Sequence, residues 1–409
     1  MKRKIVSICL TAGLAAMTLA GCGESASNNA APEAGSAAAE AGSAAAAETA
    51  DTGINVITED QASATAADGT DFSKLKIGEI ESYVTNDGGW CQATHEGIVA
   101  AMKELGIPED NLTVLQEIDD TDQSSVETAA NELINDGCTL IIGASTGYAS
   151  YLPAIAAEHP EVTFAQWGNK VDNMIGYEIR SYEGMFLAGY ASELLSKDTN
   201  KELGFSASFN EFSVRTAINA YALGAKYADP EATVRVASAD SWYDPDVESN
   251  CAKSLIDANI KYMGMEASSP AIPETCEKNG AYVVGYHNDM SSLAPNAVFV
   301  SHTWNFAPIF KNIMIHVAEG TATPNDFYYW GGDCSKLTDF ADYVPEDVVK
   351  QVKDLKKKMD AGEVVVFGGE LKDNQGNVLV ADGEVMPDDQ IILQNFFVEN
   401  VSTSWQAGQ

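Results

Sequence analysis

The sequence predicts an α/β protein built from two doubly wound, parallel-sheet lobes. Strand patterns alternate with helix patterns along most of the chain, which is typical of parallel sheets with right-handed crossovers. The alternation occurs in two successive sets of about five strands each, so two similar lobes are expected. Ligands of such lobes lie beyond the carboxyl ends of the strands, and two facing lobes would form a cleft there.

The first set of patterns begins near Asp71. Short apolar runs indicate its strands, and amphipathic runs that end at glycine or proline indicate its helices. The strand patterns are KLKIGEIE, LTVLQEI, TLIIGAS, VTFAQW and NMIGYEI. The helix patterns start at Trp90 and continue with SSVETAANELINDG, YLPAIAAEHP and YEGMFLAGYASELLS.

The second set follows the polar segment KDTNK. Its strand patterns are ELGFSAS, ATVRVASA, KYMGME, AYVVGYH and NAVFVSH, and two long helices and the hairpin EVVVFGGELKDNQGNVLVADG follow. We assign residues 71–196 and 302–330 to an N-terminal lobe. Residues 197–301 and 331–409 are assigned to a C-terminal lobe.

The N-terminus has the pattern of an exported lipoprotein. Three basic residues precede the apolar run IVSICLTAGLAAMTLA, which is too short to be read as a membrane span. The sequence LAGC then resembles a bacterial lipobox and predicts a signal peptide over residues 1–22 with lipid on Cys22; an ordinary secretory signal is the alternative. Residues 23–70 are rich in Ala, Gly and Ser, and we interpret them as a disordered tether. The expected location is extracytoplasmic, at the cell membrane.

Charge excludes one large class of partners. The chain has 60 acidic and 24 basic residues, a formal net charge of −36. Nucleic acid and anionic lipid both need Lys and Arg to replace counterions, so neither is an expected partner. The cysteines show no zinc spacing, and Cys251 with Cys276 is the one pair considered for a disulfide.

The stretch NDGGW, at the end of the first strand, is the first candidate binding feature. Two glycines allow a sharp turn and close approach of the backbone, and Trp90 then projects from the start of a helix. A flat ring at a cleft suits a flat ligand; the rival interpretation is that Trp90 packs the helix on the sheet. Other predicted strand ends carry comparable side chains: Tyr148, Trp167, Asn169, Phe209, Trp242 and Asp289.

Motifs of catalysis are missing from the sequence. It contains no GxSxG elbow, P-loop, HExxH helix or Rossmann fingerprint, and its five histidines are scattered. The segment DDTDQ lacks the glycine and the closing glutamate of a calcium loop. We therefore expect no catalytic activity, no cofactor and no metal. An exported nucleoside-cleaving enzyme remains a weaker alternative.

Four segments carry a family resemblance: DGGWCQATHEG, SYEGMFLAGYAS, DSWYDP and VVGYHNDMS. Over nearly all of residues 72–405 the chain resembles the basic membrane protein family, substrate-binding lipoproteins of ABC transporters that include the purine nucleoside receptors. The resemblance implies a type I periplasmic-binding-protein fold whose two lobes are joined by a three-segment hinge. It also implies a purine held between the lobes and delivered to a permease and its ATPase.

The same resemblance implies roles for individual residues. Trp90 matches the aromatic that stacks on the purine, Asp87 matches a common aspartate before it, and Asp289 matches the acidic residue that contacts the sugar in nucleoside binders. Where those relatives carry a lysine that holds ribose, this chain reads SHTWNFAP, with Trp304 and Asn305. That departure resembles the branch suited to free nucleobases, with adenine one plausible ligand.

The expected function is therefore a lipid-anchored, monomeric receptor for a purine nucleobase or nucleoside. Trp90 and Trp242 would supply flat faces. Polar edges would be read by Asp87, Asn169, Asp289 and Asn305. The alternative is a surface sensor whose ligand signals to a partner and is not imported.

Overall fold

The computed structural model describes residues 54–61, 65–168, 172–197, 199 and 202–405. All of them lie in one compact unit of the chain, residues 51–409. The predicted signal peptide, Cys22, most of the predicted tether and Asn169 lie outside the described residues. None of the helices in the described ranges is long and apolar enough to cross a membrane.

The first lobe contains a seven-stranded sheet in which every neighbouring pair is parallel. Its strands are β1 (Asn55–Ile57), β2 (Ile77–Ile80), β3 (Leu112–Leu115), β4 (Leu140–Gly143), β5 (Thr163–Trp167), β6 (Ile175–Ile179) and β12 (Asp326–Trp330). The spatial order is β1-β12-β6-β5-β4-β2-β3, so the order reverses at β2. Helices cover both faces: α1 (Trp90–Leu105), α2 (Gln123–Asn135), α3 (Leu152–Glu158) and α8 (Ala307–Glu319).

The second lobe repeats this plan. Its strands are β7 (Glu202–Ala207), β8 (Thr233–Ser238), β9 (Tyr262–Glu266), β10 (Tyr282–Gly285), β11 (Val298–Trp304), β13 (Ser335–Leu337) and β16 (Val401–Ser402). The order β13-β11-β10-β9-β7-β8-β16 reverses at β7, and only β13 is antiparallel to its neighbour. The helices are α4 (Ser181–Ser196), α5 (Phe212–Ala228), α6 (Pro245–Asp257), α7 (Ala271–Asn279), α9 (Glu346–Asp360) and α10 (Asp388–Ile391).

The predicted C-terminal hairpin is confirmed as a short antiparallel pair, β14 (Leu371–Lys372) and β15 (Val378–Val380). The Asp373 carboxylate accepts hydrogen bonds from the backbone N–H groups of Gln375 and Asn377, at 2.9 and 2.8 Å. These bonds close the turn between the two strands.

Helix α4 lies in the second lobe, whereas the sequence pattern predicts it in the first. It packs closely on α5, because a Cβ at Gly189 would overlap the carbonyl oxygen of Tyr221, and one at Gly224 would overlap that of Phe186. The apolar side chains of α4 belong to the core that is formed mainly by the second lobe, to which Phe327 and Tyr329 of β12 also contribute. The chain therefore crosses between lobes at Arg180, not after residue 196.

Three chain segments connect the lobes, as the predicted fold class requires. They are Arg180, the residues 305–306 between β11 and α8, and the segment Gly331–Cys334. Hydrogen bonds join them: the Arg180 N–H donates to the Trp330 carbonyl at 2.7 Å, and the Asn305 N–H donates to the Cys334 carbonyl at 2.9 Å. Asn305 is thus part of the hinge.

Part of the predicted tether is folded. Asn55–Ile57 forms β1, which pairs in parallel with β12 at the edge of the first sheet. Further along, the Ala67 N–H and the Thr70 hydroxyl both donate to the Glu319 carboxylate. The segment INVI, with three apolar residues in four, could have indicated this strand. The folded body begins earlier than the predicted boundary at Asp71.

The five cysteines within the described ranges are all free and buried. Cys251 and Cys276 are therefore not joined in this structure, contrary to the pairing considered from the sequence. The Cys276 thiol lies 3.7 Å from the Met263 sulfur in the second lobe's core. Both cysteines act as small apolar side chains, which is the usual role of buried free cysteine.

Candidate functional site

A cavity of about 490 Å³ lies between the two lobes, at the carboxyl ends of both sheets. Its position matches the two places where the strand orders reverse, β2 in one sheet and β7 in the other. The volume is within the usual range of small-ligand sites. Seven aromatic residues line it: Tyr83, Trp90, Trp167, Phe209, Trp242, Tyr286 and Trp304.

Trp90 is held in a fixed orientation at the cavity wall. Its indole Nε1–H donates to the backbone carbonyl of Ala144, which follows β4, over 2.5 Å. The Trp167 ring lies edge-on to it, with centroids 4.5 Å apart, and the Phe306 ring lies 5.4 Å away. An indole constrained by both a hydrogen bond and edge-on rings is pre-organised for a ligand.

The start of α1 is stabilised by the predicted aspartate. The Asp87 carboxylate accepts hydrogen bonds from the backbone N–H groups of Gly89, Cys91 and Gln92 at 2.8 to 3.2 Å. A carboxylate at this position satisfies N–H groups that have no partner within the helix. Asp87 lines the cavity, yet its carboxylate is largely committed to the helix end.

The lobes touch at Gly89. A Cβ there would lie 2.8 Å from the carbonyl oxygen of Ser268, a residue of the second lobe. The Gly89 carbonyl also accepts a hydrogen bond from the Asn288 amide at 2.8 Å. Glycine is therefore required at position 89 for the lobes to approach this closely.

Trp304 and His287 form a second aromatic pair. The Trp304 indole N–H donates to Nδ1 of His287 at 2.8 Å, so the ring of a neutral His287 carries its hydrogen on Nε2. Burial lowers the pKa of His287 to about 3, with a smaller effect from His302. The imidazole is therefore neutral at physiological pH, and its Nε2–H is a hydrogen-bond donor.

Phe209 and Trp242 form the aromatic wall of the second lobe. Their ring centroids are 4.9 Å apart with the planes at 64°. Near the cavity, Tyr83 of the first lobe lies 5.4 Å from Tyr243 of the second. Aromatic side chains of both lobes thus meet around the cavity, which is how a flat ligand would be enclosed.

Five carboxyl groups line the cavity: Asp87, Glu117, Asp119, Asp120 and Glu266. Hydrogen bonds from the Thr121 hydroxyl and N–H lower the pKa of Asp119, and Asp120 accepts from the Ser145 hydroxyl. This wall suits ligands that offer N–H or O–H donors, and it repels anions.

Glu266 differs from the other acids because it is buried. Burial raises the pKa of its carboxyl to about 7, and the hydrogen bond from the Ser208 hydroxyl works in the opposite direction. That hydroxyl lies 2.5 Å from Oε2. Glu266 is the last residue of β9, where a single charged residue would ordinarily be interpreted as a surface side chain.

A second group of acids lies at the end of β2. Glu81 is buried, and this burial, together with a smaller effect of the neighbouring Glu79, raises the pKa of its carboxyl group well above the usual range. Glu79 lies 2.9 Å from Nδ1 of His95, and this hydrogen bond raises the pKa of the histidine. Within the described chain, no group of three or more acidic, His or Cys side chains is placed to hold a metal ion.

Six of the residues singled out from the sequence line this cavity: Asp87, Trp90, Trp167, Phe209, Trp242 and Trp304. Tyr148 does not; its ring is fully buried in the first lobe, and its hydroxyl donates to the Ile118 carbonyl at 2.9 Å. Asp289 is exposed outside the cavity, and its carboxylate accepts from the Ser291 N–H at 2.9 Å. The Asn305 amide instead reaches the Asp333 carbonyl at 3.4 Å.

Several lining residues were not chosen from the sequence. His287 and Tyr286 belong to the segment GYHNDMS, which was identified as a strand-end loop, but Asp289 was chosen there instead. Glu266 ends the strand pattern KYMGME and gave no signal of its own. Hydroxyl groups complete the lining: Ser82, Thr121, Ser145, Thr146, Ser213, Ser241 and Ser268.

Known proteins of one family are similar to this chain over most of its length. The family model "ABC transporter substrate-binding protein PnrA-like" matches residues 74–366. A purine-binding protein of Brucella abortus is 27% identical over 332 residues, which cover 80% of this chain and 93% of that protein. Basic membrane protein A2 of Borrelia garinii is 26% identical over 194 residues, 43% of this chain and 57% of that protein.

Solved structures share the fold. A solute-binding protein of an ABC transporter system from Aeropyrum pernix superposes with a TM-score of 0.59 at 15% identity, over 71% of this chain and 92% of that one. A second, from Conexibacter woesei, gives a TM-score of 0.58 at 18% identity, over 71% and 98% of the two chains. The family match covers well over half of the sequence. The chain belongs to the PnrA-like family of ABC transporter substrate-binding proteins.

Proposed function

We propose that this protein is the lipid-anchored receptor of an ABC importer and that it binds a purine nucleobase or nucleoside between its lobes. The observation that carries the proposal is the aromatic cavity at the two strand-order reversals, with Trp90 fixed at its wall. Indole and phenyl rings stack on purines, which contributes on the order of 1–3 kcal/mol per base. The purine-binding relative from Brucella abortus supports the same ligand class.

The polar groups of the cavity favour an uncharged, donor-bearing ligand. Glu117, Asp119 and Glu266 are hydrogen-bond acceptors when ionised, and purines carry ring N–H and amino groups. The same carboxylates disfavour nucleotides, because a phosphate would be repelled. Trp304 supports a free base over a nucleoside, because it lines the cavity and, by the family resemblance, stands where nucleoside-binding relatives carry a lysine that holds ribose.

Delivery would follow from closure of the lobes. The ligand would favour the closed state through contacts that both lobes make with it, and the permease would receive that state. The crossing at Arg180 and the segments at 305–306 and 331–334 are the natural hinge. Anchoring by lipid on Cys22 rests on the LAGC motif after a basic and apolar leader.

Calorimetric titration of the full chain tests the ligand class. The panel is adenine, hypoxanthine, adenosine and inosine, with glucose and an amino acid mixture for comparison. We expect saturable binding of at least one purine base and no binding of the comparison compounds. A response to sugar or amino acid with silence from every purine would overturn the purine assignment.

A further inference from the structure

Glu266 occupies the ligand-facing end of the second sheet's central pair. It is the last residue of β9, and its backbone is in register with Ala207, the last residue of β7. Ser208 follows β7 directly and lies beside it. The strand order of this sheet reverses at β7, so Glu266 and Ser208 stand where doubly wound lobes bind ligands.

Ser208 is the hydrogen-bond partner of the Glu266 carboxyl group. Oε2 accepts a hydrogen bond from the Ser208 hydroxyl at 2.5 Å, and Ser208 is fully buried. The Ser208 backbone N–H also donates to this carboxyl group, and no other side chain in the described part of the chain does. Glu266 lines the cavity and is 8% exposed, so its accessible edge can receive donors from a ligand.

No basic side chain compensates the charge of Glu266 within the described residues. The titratable groups whose charges act on it are Glu248 and Tyr286. Glu248 is already engaged, because it accepts from the Ser269 hydroxyl at 2.5 Å and from the Asp244 N–H at 3.1 Å. His287, which also lines the cavity, is neutral. A buried carboxylate without a cation gains most from donors that a ligand supplies.

We propose that Glu266 is a specificity-determining residue that accepts hydrogen bonds from the ring N–H and amino groups of the bound base. This inference rests on the proposed function, since it needs a purine in the cavity. It restricts the expected ligands to purines whose hydrogen-bond donors face Glu266 at the end of β9.

If Glu266 accepts hydrogen bonds from the base, the affinity for the base should depend on pH. A ligand that donates to the carboxylate competes with a proton for the same oxygen. Burial raises the pKa of Glu266 to about 7, so the affinity should be constant above that pH. Below it the affinity should fall by up to about tenfold per pH unit.

The experiment measures dissociation constants of the full chain for adenine and hypoxanthine from about pH 5.5 to about pH 8, below the pH at which the ring N–H of hypoxanthine ionises. In Glu266→Gln we expect at least about tenfold weaker binding at the alkaline end and a flat pH profile. Glu178→Gln is the matched control, because Glu178 is a buried carboxyl that does not line the cavity. It should keep the wild-type profile.

A second variant separates a binding role from a folding role. In Ser208→Ala the carboxyl loses the hydrogen bond that lowers its pKa, so the midpoint of the pH profile should move to higher pH. If Ser208 only stabilised the fold, its replacement would leave the midpoint of the pH profile unchanged. An unchanged profile in Glu266→Gln, or a profile equally flattened in Glu178→Gln, would overturn the inference while leaving purine binding intact. Failure of the wild-type protein to bind any purine would instead overturn the proposed function.

Discussion

The indole N–H of Trp90 donates a hydrogen bond of 2.5 Å to the backbone carbonyl of Ala144. This bond joins the first turn of α1 to the end of β4, the two elements that flank the reversal of strand order in the first sheet. It fixes the plane of the ring at the cavity wall, and the ring also approaches His287 and Trp304 of the second lobe, at 5.8 and 5.7 Å. Trp90 therefore faces both halves of the site.

Replacement of Trp90 by alanine should weaken purine binding by about ten- to a hundredfold, because a stacking surface is lost. Calorimetric titration of adenine measures the change. Trp405→Ala is the control, because Trp405 lies outside the cavity and should leave the affinity unaltered. Equal affinities of wild type and Trp90→Ala would contradict a stacking role.

Trp304 should control whether ribose is accepted. Its ring lines the cavity and donates to His287. We expect the wild-type protein to prefer adenine over adenosine, and Trp304→Ala to lose most of that preference because space is opened. Trp304→Phe keeps an aromatic ring at this position and should retain the preference for adenine. Competition titrations with the two ligands give the ratio directly, and an unchanged ratio in Trp304→Ala would exclude this role.

Gly189→Ala should destabilise the protein by about 1–3 kcal/mol or more, because the new methyl group would overlap the Tyr221 carbonyl oxygen on α5. The free energy of unfolding, obtained from urea denaturation, is the readout. Asn131→Ala, at an exposed position of α2, controls for a helix substitution without such a neighbour. A variant as stable as wild type would mean that α4 and α5 do not pack this closely.

The fold class and the family were readable from the sequence, whereas the lobe to which α4 belongs was not. Strand and helix periodicities are local, and α4 follows β6 directly, so the pattern around Ser181 looks like continuation of the first lobe. What places α4 in the second lobe is its glycine contact with α5, between residues far apart in sequence. Such a contact leaves no periodic trace.

Aromatic positions at strand ends predicted much of the cavity, and Trp90, Trp167 and Trp242 are examples. Tyr148 satisfies the same rule, but the short 3₁₀ turn Thr146–Ser150 directs its ring into the core. Glu266 is the opposite case, a residue that lines the cavity but was not predicted to do so. An acid that closes a strand usually reaches water, and only the fold reveals that this one is buried against Ser208.

The stability of the ligand-free protein should rise as the pH falls from about 8 to 6.5. Burial raises the pKa of Glu266 to about 7 from an ordinary value of 4.5, and it raises the pKa of Glu178 well above that value. The folded state then holds protons that the unfolded state releases, so stability decreases with rising pH in this window. Melting temperatures measured across the range provide the check.

Two buried histidines set the lower limit of that window. The pKa values of His287 and His302 are lowered from 6.5 to about 3, so below pH 6.5 the unfolded state takes up protons that the folded state does not. This effect opposes further gain in stability on acidification.

Two variants test the contribution of the buried acids. Glu178→Gln should reduce the slope of melting temperature against pH above pH 6.5, and Glu109→Gln, at an exposed position, should not. A melting temperature that increases from pH 6.5 to pH 8 would contradict the raised pKa values of the buried Glu266 and Glu178 carboxyl groups.

A crystal structure of the protein with adenine is the decisive test of purine binding between the lobes. We expect flat electron density in the cavity, in contact with Trp90 and within hydrogen-bond distance of Glu266. A saturated protein with an empty cavity, or with adenine bound elsewhere on its surface, would contradict this expectation.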